Sequence, residues 1–309
     1  MLAVTAARAV SAGDAADLPQ RCWTAEELRT GTGPAVVSPL LPDPAVTAPL
    51  RRQPLPDALR GSIRSVRPTN GEKVVALTFD LCEGARELSG YDAPLVDYLR
   101  QNGVRATFFA GGRWLRDHRE PALQLVADPL FEVGSHSWSH PDFRTLTPAQ
   151  RAAEVEQTQA EYARLRRQLL ARPCASGARV PLEPALFRFP YGRCDQASLD
   201  AVAAAGLPAI QWNVVTGDPA KGQGAAAIAR TVIEQVRPGA IVIAHANGRG
   251  WHTAEALRTV VPELRREGYR FVTVSELLAL GEPVRSQSCY ESRAGDHDRA
   301  PTPKAADKP

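Results

Sequence analysis

What most limits the folds open to this chain is a regular alternation of short apolar runs with longer segments of helical period. Strand-like runs fall at 74–79, 106–110, 131–134, 186–189, 209–212, 240–244 and 271–274. Helix-period segments lie between them at 93–101, 148–170, 196–205, 225–235 and 254–267, with a less distinct helix after Arg113. Gly103, Gly206, Pro238 and Gly268 stand where a helix would stop. Glycine tolerates the left-handed turn past a helix, and proline cannot continue the ladder. Strand and helix in alternation predict an α/β fold with about seven parallel strands, either doubly wound or closed into a barrel.

The two ends read differently. Residues 33–56 hold so many prolines that neither a helix nor a central strand can persist, which predicts an extended arm. The Ala-rich opening, MLAVTAARAVSAGDAADL, reads either as the remnant of a secretory signal or as a flexible N-terminus. From residue 281 the chain is polar and rich in Arg, Asp, Lys and Pro, with disorder expected beyond Tyr290. The expected organisation is a tail and Pro-rich arm over 1–72, one α/β domain over 73–280 and a polar tail over 281–309.

Residues capable of chemistry fall where the strands end. Asp80 follows LTF, His136 and His140 follow EVGS, and Arg188 sits within LFRFP. Asn213 and Asp218 follow IQW, and His245 follows IVIA. In parallel α/β folds the C-terminal strand ends share one face, where active sites are built. The net charge of +3 and pI near 8.7 come from interspersed Lys, Arg, Asp and Glu, which gives no electrostatic case for nucleic acid. No apolar run reaches the length of a membrane span, so no stable membrane insertion is expected.

SHSWSH sets His136 and His140 four apart, the spacing that puts two imidazoles on one side of a helical turn, within reach of one metal ion. Two loop histidines with ordinary hydrogen bonds have the same spacing. The pair follows a strand, however, and another of the six histidines, His245, ends a different strand, which favours a metal site. Asp80 either caps the following turn or serves as a general base. Arg188 lies in a strand that should be buried, where a guanidinium needs a carboxylate, and Asp80 is the natural partner. His245 is either a satisfied core histidine or, paired with Asp218, an imidazole held protonated to serve a leaving group. Trp212 and Tyr191 are core aromatics or walls of a substrate pocket. In HANGRGWHT, Asn247, Trp251 and His252 are candidate substrate contacts, and Thr253 is a candidate helix cap.

Taken in order, these motifs resemble the polysaccharide deacetylase family, carbohydrate esterase family 4, over roughly residues 74–278. TFD at 78–80, SHSWSH, RFPYG at 188–192, Trp212 with Asp218, and IAH ending at His245 match its five motifs in sequence. The resemblance implies a distorted, incomplete (β/α) barrel and metal-dependent removal of N-acetyl groups from amino sugars of a glycan in the periplasm or outside the cell. It also implies a divalent cofactor, usually zinc, on His136 and His140. Asp80 is then the general base, oriented by Arg188. His245, tuned by Asp218, is the acid, and the Tyr191 backbone N–H an oxyanion donor.

The departures are specific. The family has a second aspartate where this chain has Leu81, so the metal set lacks a carboxylate. Glu83 is the nearest replacement, and Cys82 is another. The adjacency of the first and third motifs that the resemblance implies suggests instead a Cys82 to Cys194 disulfide. By the same logic Cys22 would pair with Cys289 and leave Cys174 free. Asn213 stands where an acid is often found and Pro219 where a Trp usually follows, changes that bear on substrate choice. The rival reading is a carbohydrate-binding protein on the same barrel that has lost catalysis, with Leu81 as its trace.

Overall fold

The computed structural model describes residues 18–33, 55–84 and 89–289. The Ala-rich start, most of the Pro-rich arm and the tail from Tyr290 lie outside them. Among the described residues nine strands form one sheet: β1 (Ser62–Pro68), β2 (Val74–Leu81), β3 (Ala106–Ala110), β4 (Phe131–Ser135), β5 (Ala209–Ile210), β6 (Val214–Val215), β7 (Ala240–His245), β8 (Arg270–Phe271) and β9 (Gly281–Ser286). The path runs β4-β3-β2-β7-β1-β5, with β8 added to β2, β6 to β7 and β9 to β1.

β4, β3, β2 and β7 are parallel and in continuous register. From β4 the ladder passes through single bridges, Ser135 to Phe187 and Phe187 to Ala209, into β5, which pairs with β1. β1 then meets β7 at one antiparallel position, Ser65 with Ala240. The sheet therefore curls back on itself through thin seams, which is a distorted, incomplete (β/α) barrel. It is mixed rather than wholly parallel, because β9 runs antiparallel to β1.

Both β1 and β9 lie in stretches that the sequence pattern assigns to the arm and the tail. β9 lies at the sheet edge, and β1, though largely buried among β5, β7 and β9, sets Ser62, Arg64 and Ser65 between its apolar residues, so SIRSVRP and GEPVRS read as polar segments although they pair over six positions. The sheet extends past both of those boundaries. Conversely, the run at 186–189 shrinks to the bridges at Phe187, with Pro184 and Pro190 close at either end. The helices at Ala93–Gln101, Pro148–Leu170 and Ala225–Gln235 stand where their periodicity predicts. The indistinct segment after Arg113 resolves into two helices, Gly112–Asp117 and Arg119–Ala127.

Pleat parity decides what each strand offers to the barrel. In β2, Val75, Leu77, Phe79 and Leu81 pack into the core beneath the helices, while Val74 and Ala76 belong to a second core that gathers Ile63, Ile210, Ile241 and Ile243 from around the ring. Successive side chains alternate between faces, so Asp80 and Cys82, on the face of Val74 and Ala76, turn inward while Leu81 does not. The same rule turns His245 inward after Ile241 and Ile243. It turns Arg188 inward between Phe187 and Phe189, which pack together in a third cluster.

The cysteine pairing differs from expectation. Cys22 bonds Cys174, Cys194 bonds Cys289, and Cys82 is free and buried. Antiparallel pairing with β1 carries the chain after β9 back across the barrel, where Ser62 and Arg64 hold the Ser288 carbonyl and deliver Cys289 to Cys194. Cys82 faces the barrel interior instead, 3.5 Å from His136 Nε2. Each bridge closes a long loop, with separations of 152 and 95 residues. Replacing Cys194 with Ser should cost about 2–5 kcal/mol of stability, read from denaturant unfolding. A non-reducing peptide map should recover both links, with Cys82 as the one alkylated thiol.

Candidate active site

Arg188 is fully buried, and its guanidinium is spent on three acceptors: Asp80 Oδ1 at 2.8 Å and the carbonyls of Ile210 and Gln211 at 3.2 and 3.3 Å. It also lies 4.0 Å from the centroid of the Phe109 ring. The partner expected from sequence, Asp80, is the one found. Burial pulls the guanidinium below its usual range, while Asp80 works to hold the charge.

The Arg188 carbonyl accepts from His136 Nδ1 at 2.9 Å, so His136 Nε2 points the other way, toward Cys82 Sγ and, at 3.6 Å, Asp80 Oδ2. Burial opposes a charge on His136, but Asp80 and Cys82 more than offset it and raise its pKa. The turn after β4 places the second histidine: Ser137 and His140 both adopt left-handed backbone, with φ of 65° and 58°, and Ser137 Oγ accepts the His140 N–H. Such conformations are costly for residues with a Cβ. The result brings the two rings within 4.9 Å and sets His140 against Tyr191 at 4.4 Å.

Across the pocket, His245 Nδ1 lies 2.9 Å from Asp218 Oδ1, and the other Asp218 oxygen accepts the His245 backbone N–H and the Thr253 hydroxyl, both at 2.7 Å. Burial opposes protonation of His245, yet hydrogen bonds to Asp218 and Cys82 raise its pKa well above the ordinary value. Thr253 is thus the first residue of its helix with its hydroxyl committed to Asp218, and His252 takes the cap position. Asp80, Cys82, His136, His140, Tyr191, Trp212, Asp218 and His245 all border one open pocket of about 290 Å³.

Several sequence expectations resolve otherwise. Glu83 turns away from the histidine pair: its buried carboxylate lies 3.3 Å from His118 Nε2. The residue after the inward Cys82 turns out toward the Gly112–Asp117 helix, and there burial and Asp117 push its pKa up to about 7. Asn247, expected as a substrate contact, is buried, and its Nδ2 donates to the Cys82 carbonyl at 2.7 Å. Asn213 accepts the Ile241 N–H, which patches the β7 ladder. Trp212 is almost wholly buried yet still lines the pocket, and Tyr191 is exposed at its rim.

Could these residues hold a cation? Cys82 Sγ and ligand nitrogens of His136 and His140 all lie within 4.8 Å of one another, in a buried set of donors of the kind that binds divalent transition metals. The residues present fit such an ion, with Cys82 where Glu83 was expected. The signal for this was in the sequence, as period-2 alternation running through TFDLC, but the disulfide reading of Cys82 hid it.

The polysaccharide deacetylase family model matches residues 67–210. A chitooligosaccharide deacetylase from Bradyrhizobium is 31% identical over 227 residues, a match covering 69% of this chain and 94% of that protein. The chain belongs to the polysaccharide deacetylase family. The crystal structure of a peptidoglycan N-acetylglucosamine deacetylase shares the fold, with a TM-score of 0.60 at 23% identity over 72% of this chain and 95% of that one. A family 4 pseudoenzyme from Bacillus anthracis aligns with a TM-score of 0.56 at 27% identity, covering 71% of this chain and 69% of that one. The match takes in 53% of the Bacillus subtilis protein YlxY and 44% of the Listeria monocytogenes peptidoglycan-N-acetylglucosamine deacetylase PgdA.

For this member of the family the buried Arg188–Asp80 pair is the most sensitive point of the site. Arg188→Ala leaves Asp80 without its partner and should destabilise the fold by roughly 3–5 kcal/mol, read as a shift in denaturant midpoint. Arg188→Lys, which keeps the charge but cannot span three acceptors, should recover only part of that loss.

Proposed function

We propose that this protein is a metal-dependent hydrolase that removes N-acetyl groups from the amino sugars of a glycan. The observation that carries the reading is the pairing of Asp80 with Arg188 and of His245 with Asp218 on two sides of one pocket. Each side has a proton-transfer group whose orientation is fixed by a buried partner, the arrangement that general acid and base catalysis requires. A plain binding cleft has no use for both.

A divalent cation on His136 and His140, zinc by preference for such donors, would polarise the acetyl carbonyl when bound. Asp80, held by Arg188, takes the proton of the water that adds to the carbonyl carbon. When the carbon–nitrogen bond breaks, His245 passes its proton to the leaving amine, and Asp218 stabilises the charged ring until then. Acetate and a free amino sugar are the products. Tyr191, Gly192 and Trp212 line one side of the pocket, where the acetyl group would sit, and the Tyr191 backbone N–H would serve as the oxyanion donor.

Relatives named for chitooligosaccharide and for peptidoglycan N-acetylglucosamine support an N-acetylglucosamine polymer as substrate. The pocket is open, and the exposed rings of Tyr191 and Trp251 suit stacking on sugars. Two disulfides favour an oxidising compartment, periplasmic or extracellular. No described helix is long and apolar enough to cross a membrane. The rival reading, an inactive glycan binder, draws on Leu81 and on the pseudoenzyme relative.

Acetate release from chitooligosaccharides and from peptidoglycan fragments separates the two. The metal-loaded wild type should release acetate from at least one of them. Asp80→Asn should lower that rate by about 10²–10⁴-fold, and a chelator should abolish it until metal is restored. A loaded, folded wild type that binds these glycans and releases no acetate would establish the binder.

A further inference from the structure

Leu81 removes the carboxylate that the family pattern supplies beside the general base, yet both buried imidazoles remain. We propose that Cys82 replaces it, so that Cys82, His136 and His140 form a thiolate-ligated cation site. This deepens the deacetylase reading and rests on it.

Strand parity comes first. Leu81 packs into the core beneath the helices, whereas Cys82, one residue on, faces the histidines. The Cys82–His136 spacing is that of two ligands on a tetrahedral ion. With metal–sulfur and metal–nitrogen bonds of about 2.3 and 2.0–2.1 Å, a sulfur and a nitrogen ligand stand about 3.5 Å apart. Cys82 Sγ and His136 Nε2 are 3.5 Å apart. A thiol–imidazole hydrogen bond alone would account for that pair, but not for the convergence of His140, turned onto His136 by its left-handed backbone.

Outer contacts hold both donors in place. His136 Nδ1 is committed to the Arg188 carbonyl, the usual support of a metal-binding imidazole, which leaves Nε2 for the ion. The Cys82 carbonyl accepts from Ser89 Oγ at 2.5 Å and Asn247 Nδ2 at 2.7 Å, which fixes the loop that carries the thiol. Asp80 and His245 also approach Cys82, but each already has its own partner in Arg188 and Asp218. Three protein ligands also leave one position open, as a catalytic site needs. Exchanging carboxylate for thiolate makes the site softer, favouring zinc and cobalt over manganese and magnesium.

The test is a cobalt(II) titration of the reduced, metal-free chain, followed by absorption and by elemental analysis. The wild type should bind about one cobalt per chain, with the visible bands of a four-coordinate ion and an intense near-ultraviolet thiolate-to-cobalt band. Cys82→Ser should lose the near-ultraviolet band and bind at least about 10-fold more weakly. Cys82→Asp, which restores a carboxylate, should bind cobalt with the visible bands alone, and it serves if the serine variant does not fold by circular dichroism. Cobalt bound without the near-ultraviolet band, or a band that survives in the Cys82 variants, overturns the thiolate ligand and leaves metal-dependent deacetylation standing. A folded wild type that takes up neither cobalt nor zinc overturns both. The band present, but no acetate released from any glycan, keeps the ligand assignment and removes the activity.

Discussion

A guanidinium sealed inside the barrel is the constraint on which the rest of the site depends. Arg188 has no access to water, so its charge must be met from within. Asp80 supplies the countercharge, the carbonyls of Ile210 at the end of β5 and of Gln211 just beyond it take further donors, and the arginine's own carbonyl fixes the His136 ring. One side chain thereby sets the Asp80 carboxylate, orients the His136 imidazole and joins the weak bridge at Phe187 to β2 across the interior. The desolvation cost of the pair is offset because each of the three guanidinium nitrogens has an acceptor, so removing either residue alone strands the other's charge.

The other half of the pocket is built on a buried anion. Asp218 accepts three hydrogen bonds, from the His245 backbone, the His245 ring and Thr253. With its charge satisfied in this way it can hold an imidazolium opposite the Asp80 carboxylate. The two halves come from distant parts of the chain and are kept in register by the parallel ladder between β2 and β7, where Asp80 pairs with His245 itself. Between them lies Cys82, whose thiol burial alone would keep protonated. The neighbouring His140 and His136 pull its pKa well below the ordinary range, a setting suited to a thiolate rather than to a structural thiol.

Closure of the barrel relies on weaker means. Where ladders are reduced to single bridges, covalent links and edge pairing take over: β9 on β1, and the Cys194–Cys289 bond beside Gly192 in the pocket wall. Gly192 has φ of 64° and stands so close to the Trp212 ring that a Cβ would meet it at 2.7 Å, so the wall tolerates only glycine there. The disulfide thus braces the seam beside the pocket wall at Gly192 and Trp212, although the chain alternates too irregularly there to form a full strand.

Alternation of strand and helix, and the placing of Asp80, His136, His140, Arg188, Asp218 and His245 at strand ends, were legible because they follow from local periodicity, which depends on neighbours a few residues away. Parity along β2 and β7 was legible for the same reason. Strands β1 and β9 were not, since both carry polar residues through their length and pair with each other across about 220 residues of chain. Nor was the cysteine pairing, because which sulfurs meet depends on where β9 returns the chain. The roles of Glu83 and Asn247 were hidden too, since a carboxylate and an amide can serve a metal, a sugar or a neighbouring backbone. Only the packed structure, by turning Glu83 to His118 and Asn247 to the Cys82 carbonyl, decided among these. Sequence determined which groups reach the barrel's mouth; long-range packing decided which of them face one another.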